Sequence, residues 1–379
     1  VGASVVTAAL VVGVPREVKT DEHRVAITPD GVLEMRNHDV TVLVESDAGA
    51  SSSFSDDDYA SVGAEIVTDA ADVWGRAGLV MKVKEPQESE YVHLREDLVV
   101  FTYLHLAAYP GVAAALRDSR VIGVAYETVQ LASGALPLLA PMSEVAGRMA
   151  PQIGSHFLED RHGGRGVLLG GAPGVRPARV VVLGAGNVGW NAAWISQGME
   201  AEVILLDRNI DRLRWVDQIH KGRIMTLAST RGAIDRAVAD ADLVIGAVLV
   251  PGGRAPNLVS DAMVRAMKPR SVIVDCAIDQ GGCVEGIRET THSEPVYERH
   301  GVLHYAVGNI PGAVPNTSTY ALTNATLPYA LEIATRGLRD AARSDPALAL
   351  GINTLAGSIT NHAVAAALGC KASPLERLW

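Results

Sequence analysis

Val180-Val181-Val182-Leu183-Gly184-Ala185-Gly186-Asn187-Val188-Gly189 is an apolar run that breaks into G-x-G-x-x-G. A second apolar run, Val203–Leu206, follows at helix length and ends on Asp207. Strand, glycine turn, helix, strand and acid form the fingerprint of a dinucleotide-binding unit. Gly184 permits the tight turn, Gly186 lets backbone approach a pyrophosphate, and Gly189 lets the helix pack close to its strand. The diphosphate would rest on the free N–H groups at the helix start, with Asn187 and Val188 beside it. Asp207, about twenty residues beyond Gly186, is placed to accept hydrogen bonds from the adenosine ribose. A carboxylate there repels a 2′-phosphate and favours NAD over NADP, with only the adjacent Arg208 arguing the other way. Arg212 is a further expected cofactor contact.

Outward from this unit, strands are expected at Leu243–Gly246 and Val272–Asp275, giving the βαβ rhythm of a doubly wound parallel sheet. Ser143–Asp160 reads as a long helix that Pro151 should kink. Gly163–Gly174 reads as a loop, and Pro311–Pro315 as the exit from the domain. The first 135 residues alternate helical patterns with strand-like runs at Val11–Val14, Val40–Val44, Leu79–Val83, Val99–Tyr103 and Val121–Ala125. Thr28-Pro29 is a helix start, and Ser46–Asp58 reads as an exposed polar loop. From Tyr320 the chain reads as helical, clearest at Ala321–Leu338 and Ala356–Leu368. The expected fold is therefore α/β with two domains. A Rossmann-type domain (residues 138–315) is inserted in a discontinuous α/β substrate domain (1–137 and 316–379), and the reaction is expected in the cleft between them.

The bulk properties narrow the function. The 379 residues carry 48% hydrophobic and 20% charged side chains and a net charge of −10, which argues against a nucleic-acid or anionic-membrane surface. No apolar run reaches the ~18 residues of a membrane span. Val1–Val14 is largely apolar but has no basic start or cleavage site, so a secretory leader is not expected. Three cysteines without a C-x-x-C point to a reducing, cytoplasmic setting and give no metal-ligand spacing.

Several polar residues stand where chemistry could occur. Arg24, in HRVAITP, can hold a carboxylate through two parallel hydrogen bonds, or simply sit near a helix start. Alternation puts Lys84 on the same face as Lys82, where it either polarises a carbonyl or is a solvated edge lysine. His105 follows the apolar run Leu98–Leu104, either as a proton-transfer group or as a core histidine. Asp279 and Asn309 lie near strand ends, in segments that also suit ordinary turns. Ser143 contacts a phosphate or ribose, or is a plain N-cap.

Taken together these segments resemble the alanine dehydrogenases, within the superfamily that includes the NAD-binding component of proton-translocating transhydrogenase. The resemblance is carried by RVAITP (Arg24–Pro29), KVKEP (Lys82–Pro86), LHLA (Leu104–Ala107), APMSEVAGR (Ala140–Arg148), IDQGG (Ile278–Gly282) and NIPGAVPNTSTYALTNAT (Asn309–Thr326). It implies substrate-binding roles for Arg24 and Lys84, and active-site roles for His105 and Asp279. It also implies NAD contacts at Ser143, Gly184–Gly189, Asp207 and Asn309. The implied reaction is reversible oxidative deamination of L-alanine to pyruvate and ammonium, in a homohexamer. Transhydrogenase components lack the LHLA histidine, so that alternative, like a non-catalytic NAD sensor, fits the full residue set less well. Ile310 stands where many relatives have methionine, Pro151 is unusual, and the chain carries residues before Val11, beginning with Val1.

Overall fold

The computed structural model describes residues 10–248 and 255–379; the apolar segment ahead of Leu10 lies outside them. The fold is α/β, and the chain separates into two compact units. One combines the chain up to Met142 with Val314–Trp379, and the other is Ser143–Ala313.

The first unit opens with β1 (Val12–Val14), β2 (Val42–Glu45), β3 (Glu65–Val67), β4 (Leu79–Met81), β5 (Val99–Thr102) and β6 (Ile122–Ala125). These six strands are parallel, in the order 6-5-4-1-2-3. All but β3 are buried nearly throughout, as strands covered on both faces must be. Thr28 caps the helix Pro29–Asn37, its hydroxyl accepting the Gly31 N–H at 3.1 Å, with Pro29 in the first turn.

The second unit carries β7 (Arg179–Leu183), β8 (Glu202–Asp207), β9 (Met225–Ala228), β10 (Leu243–Gly246), β11 (Val272–Asp275), β12 (Val296–Arg299) and β13 (Val302–Tyr305). The sheet order is 12-13-11-10-7-8-9, parallel except for β12. Alternate side chains of its strands enter two separate cores. Val180, Val182, Leu205 and Ile245 pack with Ala150, Ala193 and Val216 on one face. Val181, Leu183, Leu206 and Val244 pack with Ile234, Val238 and Val264 on the other. That is the doubly wound arrangement. Its strand order reverses at β7, where β8 lies on one side and β10 on the other.

After Val314 the chain forms the helix Pro315–Arg336, two shorter helices, and then β14 (Ile352–Leu355) and β15 (Ser358–Ile359), which extend the first sheet beyond β6. The continuous helix expected over Ala356–Leu368 is therefore replaced by this hairpin and a short helix, His362–Ala367. Ala356 and Gly357 both adopt left-handed backbone (φ 49° and 77°), the conformation of a two-residue hairpin turn. Ser46–Asp58 is likewise not a bare loop. It holds a helical turn at Ala50–Ser52 and the start of a capped helix at Asp56–Ser61, with Ser52 buried. The long helix runs unbroken over Ala140–Leu158 with Pro151 inside it, at the cost of the backbone bond proline cannot donate. Among the described residues no helix is long and apolar enough to cross a membrane.

His304 in β13 is fully buried, its Nδ1 3.0 Å from the Val302 carbonyl oxygen, and its Nε2 has no protein partner. Burial, with the charges of Arg299 and His300, lowers its pKa from 6.5 to about 4 against the pull of the Val302 bond. The native state then keeps the imidazole neutral where the unfolded chain binds a proton. Stability fully present above pH 6.5 is lost as pH falls toward 4, by roughly 2–3 kcal/mol. Urea unfolding at pH 7.5, 5.5 and 4.5 should show this loss, and His304→Gln should flatten it.

Candidate active site

In the first unit Arg24 follows β1, Lys84 follows β4 and His105 follows β5, so all three stand beyond the carboxyl ends of neighbouring parallel strands. The order reverses between β1 and β4, which is where open α/β sheets bind ligands. Arg24 is only 2% exposed. Glu22 grips one edge of the guanidinium: Nε donates to Oε1 at 2.7 Å and Nη2 to Oε2 at 2.5 Å. The Arg24 backbone N–H also donates to Glu22 Oε1, at 3.0 Å, and Nη1 lies 3.0 Å from Met142 Sδ. Burial would raise the Glu22 pKa, but the charge and hydrogen bonds of Arg24, helped by the charge of Lys84, bring it down to about 2. Arg24, Lys84 and Glu22 thus form one electrostatic group.

Lys84 does not lie on the strand. β4 ends at Met81, and Lys84 sits in the bend that follows, so the alternation argument fails: Lys82 is fully buried while Lys84 is half-buried. Lys82 is a structural cation held between Glu90 (2.8 Å) and Glu17 (3.1 Å). Burial would lower its pKa, and the two carboxylates outweigh that and hold it at about 12. Glu17 also fixes the bend itself, accepting the N–H groups of Val83 at 2.6 Å and Lys84 at 3.4 Å.

His105 has left-handed backbone (φ 45°), and its ring stacks on Tyr103 with centroids 5.6 Å apart and planes 3° from parallel. The Tyr103 hydroxyl is anchored on the Leu138 carbonyl at 2.6 Å. The loop that bears Arg24 is pinned from the helix Pro315–Arg336. The Val25 N–H donates to Thr319 Oγ1 (3.2 Å), and Asn316 donates to the Ser52 carbonyl (2.7 Å). These bonds tie the RVAITP segment to NTSTYALTNAT.

In the second unit the glycine turn leaves β7 at the point of order reversal. Gly184 has φ 107°, and a Cβ on Gly189 would fall 1.7 Å from the Gly184 carbonyl oxygen, so neither position admits a side chain without rearrangement. Gly186 differs: it precedes the helix Asn187–Gly198, and no atom lies within 4 Å of where its Cβ would be. It borders open space, as a phosphate cradle requires. Asp207 Oδ2 accepts the Ala185 N–H of this turn at 2.6 Å, and Oδ1 accepts that of Asn209 at 2.7 Å. Arg212 is exposed in the first turn of the next helix. Gly147 of the APMSEVAGR motif lets the long helix approach this region, since a Cβ there would lie 2.3 Å from the Val188 carbonyl oxygen. Ser143 lies inside that helix, which begins at Ala140, and so is not its N-cap.

Asp279 is exposed in the short turn after β11, and Asn309 follows β13 with φ 62°. They are neighbours across Gly308, where a Cβ would come 3.2 Å from Asp279 Oδ1. The buried Asp275 holds the loop, accepting the N–H groups of Ala277 (2.9 Å) and Cys283 (2.7 Å). The residues sequence reasoning missed are the carboxylates Glu17, Glu22, Glu90, Glu127 and Asp275. The two-residue spacing of Glu22 and Arg24 was the only local signal for any of them. Among the described residues no group of side chains is arranged to hold a metal ion.

A glycine turn at the order reversal of one doubly wound sheet, and in the other unit a mostly parallel sheet with cations at its strand ends, define an α/β protein of two units. Comparison narrows this. The family model "Alanine dehydrogenase/PNT, N-terminal domain" matches residues 13–146, and the corresponding C-terminal domain matches residues 150–362. An alanine dehydrogenase of Methanococcus maripaludis is 53% identical over 97% of this chain and 99% of its own length. That of Mycobacterium tuberculosis is 54% identical over 94% and 96%. A solved L-alanine dehydrogenase superposes with TM-score 0.91 at 47% identity, covering 94% of this chain and 99% of its own. The chain belongs to the alanine dehydrogenase/PNT family. A transhydrogenase from Sinorhizobium meliloti shares the fold (TM-score 0.79) at 23% identity.

Lys82 gives a test of the buried network. Lys82→Met leaves Glu17 and Glu90 buried without their cation and should destabilise the protein by roughly 3–5 kcal/mol. The triple change Lys82→Met, Glu17→Gln, Glu90→Gln should recover much of that loss in urea unfolding.

Proposed function

We propose that this protein catalyses the reversible, NAD-dependent oxidative deamination of L-alanine to pyruvate and ammonium. The unit Ser143–Ala313 would hold the cofactor and the other unit the substrate. The observation that carries this reading is the grouping of Arg24, Lys84 and the Tyr103–His105 stack at adjacent strand ends of one sheet. Two cations and an imidazole suit a small 2-oxo acid whose carboxylate needs charge and whose carbonyl needs polarisation and a proton.

The residues present fit NAD. The turn has no side chain at Gly186 and room where one would be, and Asp207 stands at the end of the next strand. When bound, the nicotinamide accepts the hydride that leaves the substrate Cα. Gly184–Gly189, with Asn187 and Val188, would cradle the diphosphate, Asp207 the ribose, and Arg212, Ser143 and Asn309 further parts of the cofactor. Arg24 holds the substrate carboxylate, and its grip by Glu22 fixes the plane of the guanidinium. Lys84 stabilises negative charge developing on the carbonyl oxygen. His105 takes a proton from the substrate ammonium, passes it to solvent, and then takes one from the water that adds to the iminium carbon; Asp279 is the second residue assigned to proton handling. In the collapse of the carbinolamine His105 returns its proton to the nitrogen and takes the hydroxyl proton, so that the C–N bond breaks and ammonia and pyruvate leave. The free thiols Cys276, Cys283 and Cys370 suit a reducing cytoplasm, and the family resemblance gives a homohexamer as the working assembly.

Absorbance of NADH with alanine and NAD⁺, and with pyruvate, ammonium and NADH, tests the reading; turnover of neither mixture rejects it. His105→Ala should lower kcat by ~10²-fold or more. Two glycine variants separate binding from folding. Gly186→Ala should fold normally and bind NAD about tenfold or more weakly, because its methyl enters space a phosphate needs. Gly189→Ala should lose roughly 1–3 kcal/mol of stability as well, because its methyl meets backbone.

A further inference from the structure

Glu127 lies in the turn Tyr126–Thr128 directly after β6, the strand beside the one that leads to His105. Its carboxylate takes two backbone donors from the neighbouring loop. Oε1 accepts the His105 N–H at 2.6 Å, and Oε2 accepts the Leu104 N–H at 3.3 Å. The same Oε1 lies 3.9 Å from His105 Nδ1, and the carboxylate is largely shielded from solvent (14% exposed). The imidazole is therefore bounded twice, its face lying on Tyr103 and its Nδ1 edge turned to a carboxylate.

We propose that Glu127 is the positioning residue of His105, a role that rests on the proton-transfer reading above. A carboxylate at the Nδ1 edge favours the proton on that nitrogen and leaves the Nε2 lone pair to accept one from substrate or water. It also stabilises the imidazolium that forms when that proton arrives. The 3.9 Å separation is longer than a hydrogen bond, and contacts of catalytic groups tighten when substrate binds. The backbone bonds serve the same end, because they hold His105 in a left-handed conformation that a non-glycine residue adopts at a cost.

Two substitutions separate positioning of the ring from clamping of the loop. Glu127→Gln keeps an oxygen that can accept the His105 N–H but removes the charge facing Nδ1, whereas Glu127→Ala removes both. For Glu127→Gln in the full-length protein we expect a thermal midpoint within a few degrees of wild type. We expect KM for alanine to change within about twofold and kcat to fall by at least about tenfold. In ¹⁵N-histidine-labelled protein, with the His105 signal assigned by its loss in His105→Gln, solid-state NMR should show one Nδ1–H tautomer in wild type and a mixture in Glu127→Gln. The proposal is overturned if Glu127→Gln keeps kcat within twofold of wild type. It is equally overturned if the His105 tautomer signal is unchanged in Glu127→Gln. If wild type turns over neither substrate mixture, the functional reading falls, and the tautomer measurement still decides what Glu127 does to His105.

Discussion

The parallel strands β1, β4, β5, β7 and β11 lead into loops whose backbone N–H groups have left the sheet and need acceptors of their own. In this protein carboxylates supply them. Glu17 takes the N–H groups of Val83 and Lys84, Glu22 that of Arg24, and Glu127 those of Leu104 and His105. In the other unit Asp207 takes that of Ala185 and Asp275 those of Ala277 and Cys283. A carboxylate suits the task because its two oxygens can accept several donors at once, and bonds to a charged acceptor are about twice as strong as neutral ones. Each bend so fixed carries, or directly precedes, a residue to which the proposed chemistry assigns a role.

Placing so many carboxylates in a protein interior creates a second constraint, since an unpaired buried charge is costly. The first unit meets it with cations that have different duties. Lys82 is enclosed by Glu17 and Glu90 and only balances charge. Arg24 balances Glu22 and is also the residue proposed to hold the substrate carboxylate. The grip on Arg24 uses Nε and Nη2, so the guanidinium is held in one plane before any ligand arrives. That is preorganisation in a literal sense: the rotamer entropy of a long side chain is lost on folding and not again on binding. Removing Glu22 would therefore weaken substrate binding as well as stability, although Glu22 touches no substrate in the proposed scheme.

The doubly wound unit was readable in the sequence because its signals are local. Gly184, Gly186 and Gly189 are consecutive demands of a single turn, and the apolar runs of β7, β8, β10 and β11 are buried on both faces. Elements at the sheet edges were not readable for the opposite reason. The residues of β3 and β9 are mostly exposed or half-buried, so no apolar run marks them. The alanine-rich stretch Ala356–Leu368 fits helical spacing, while the deciding feature for the hairpin Ile352–Ile359 is two left-handed residues at Ala356 and Gly357. Arg24, Lys84 and His105 could be singled out by residue type and strand position. Their supporting carboxylates could not, since Glu127 lies 22 residues from His105 and Glu17 lies 66 from Val83, and only the parallel pairing of strands brings them together.

Asp207 shows how the two demands on a strand-end carboxylate can collide. In the first unit the proposed scheme divides holding the backbone and meeting the ligand between residues: Glu22 takes the first and Arg24 the second. In the second unit Asp207 is assigned both tasks, because the carboxylate proposed to select the ribose already binds Ala185 in the glycine turn and Asn209 at the next helix. A substitution there that admits a 2′-phosphate would also release the Ala185 N–H, at a cost of about 1–3 kcal/mol if that donor finds no new acceptor. Cofactor preference and turn geometry are therefore one property in this chain. An exchange of Asp207 alone should loosen both together, and a clean change of preference needs a second residue that takes over the bond to Ala185.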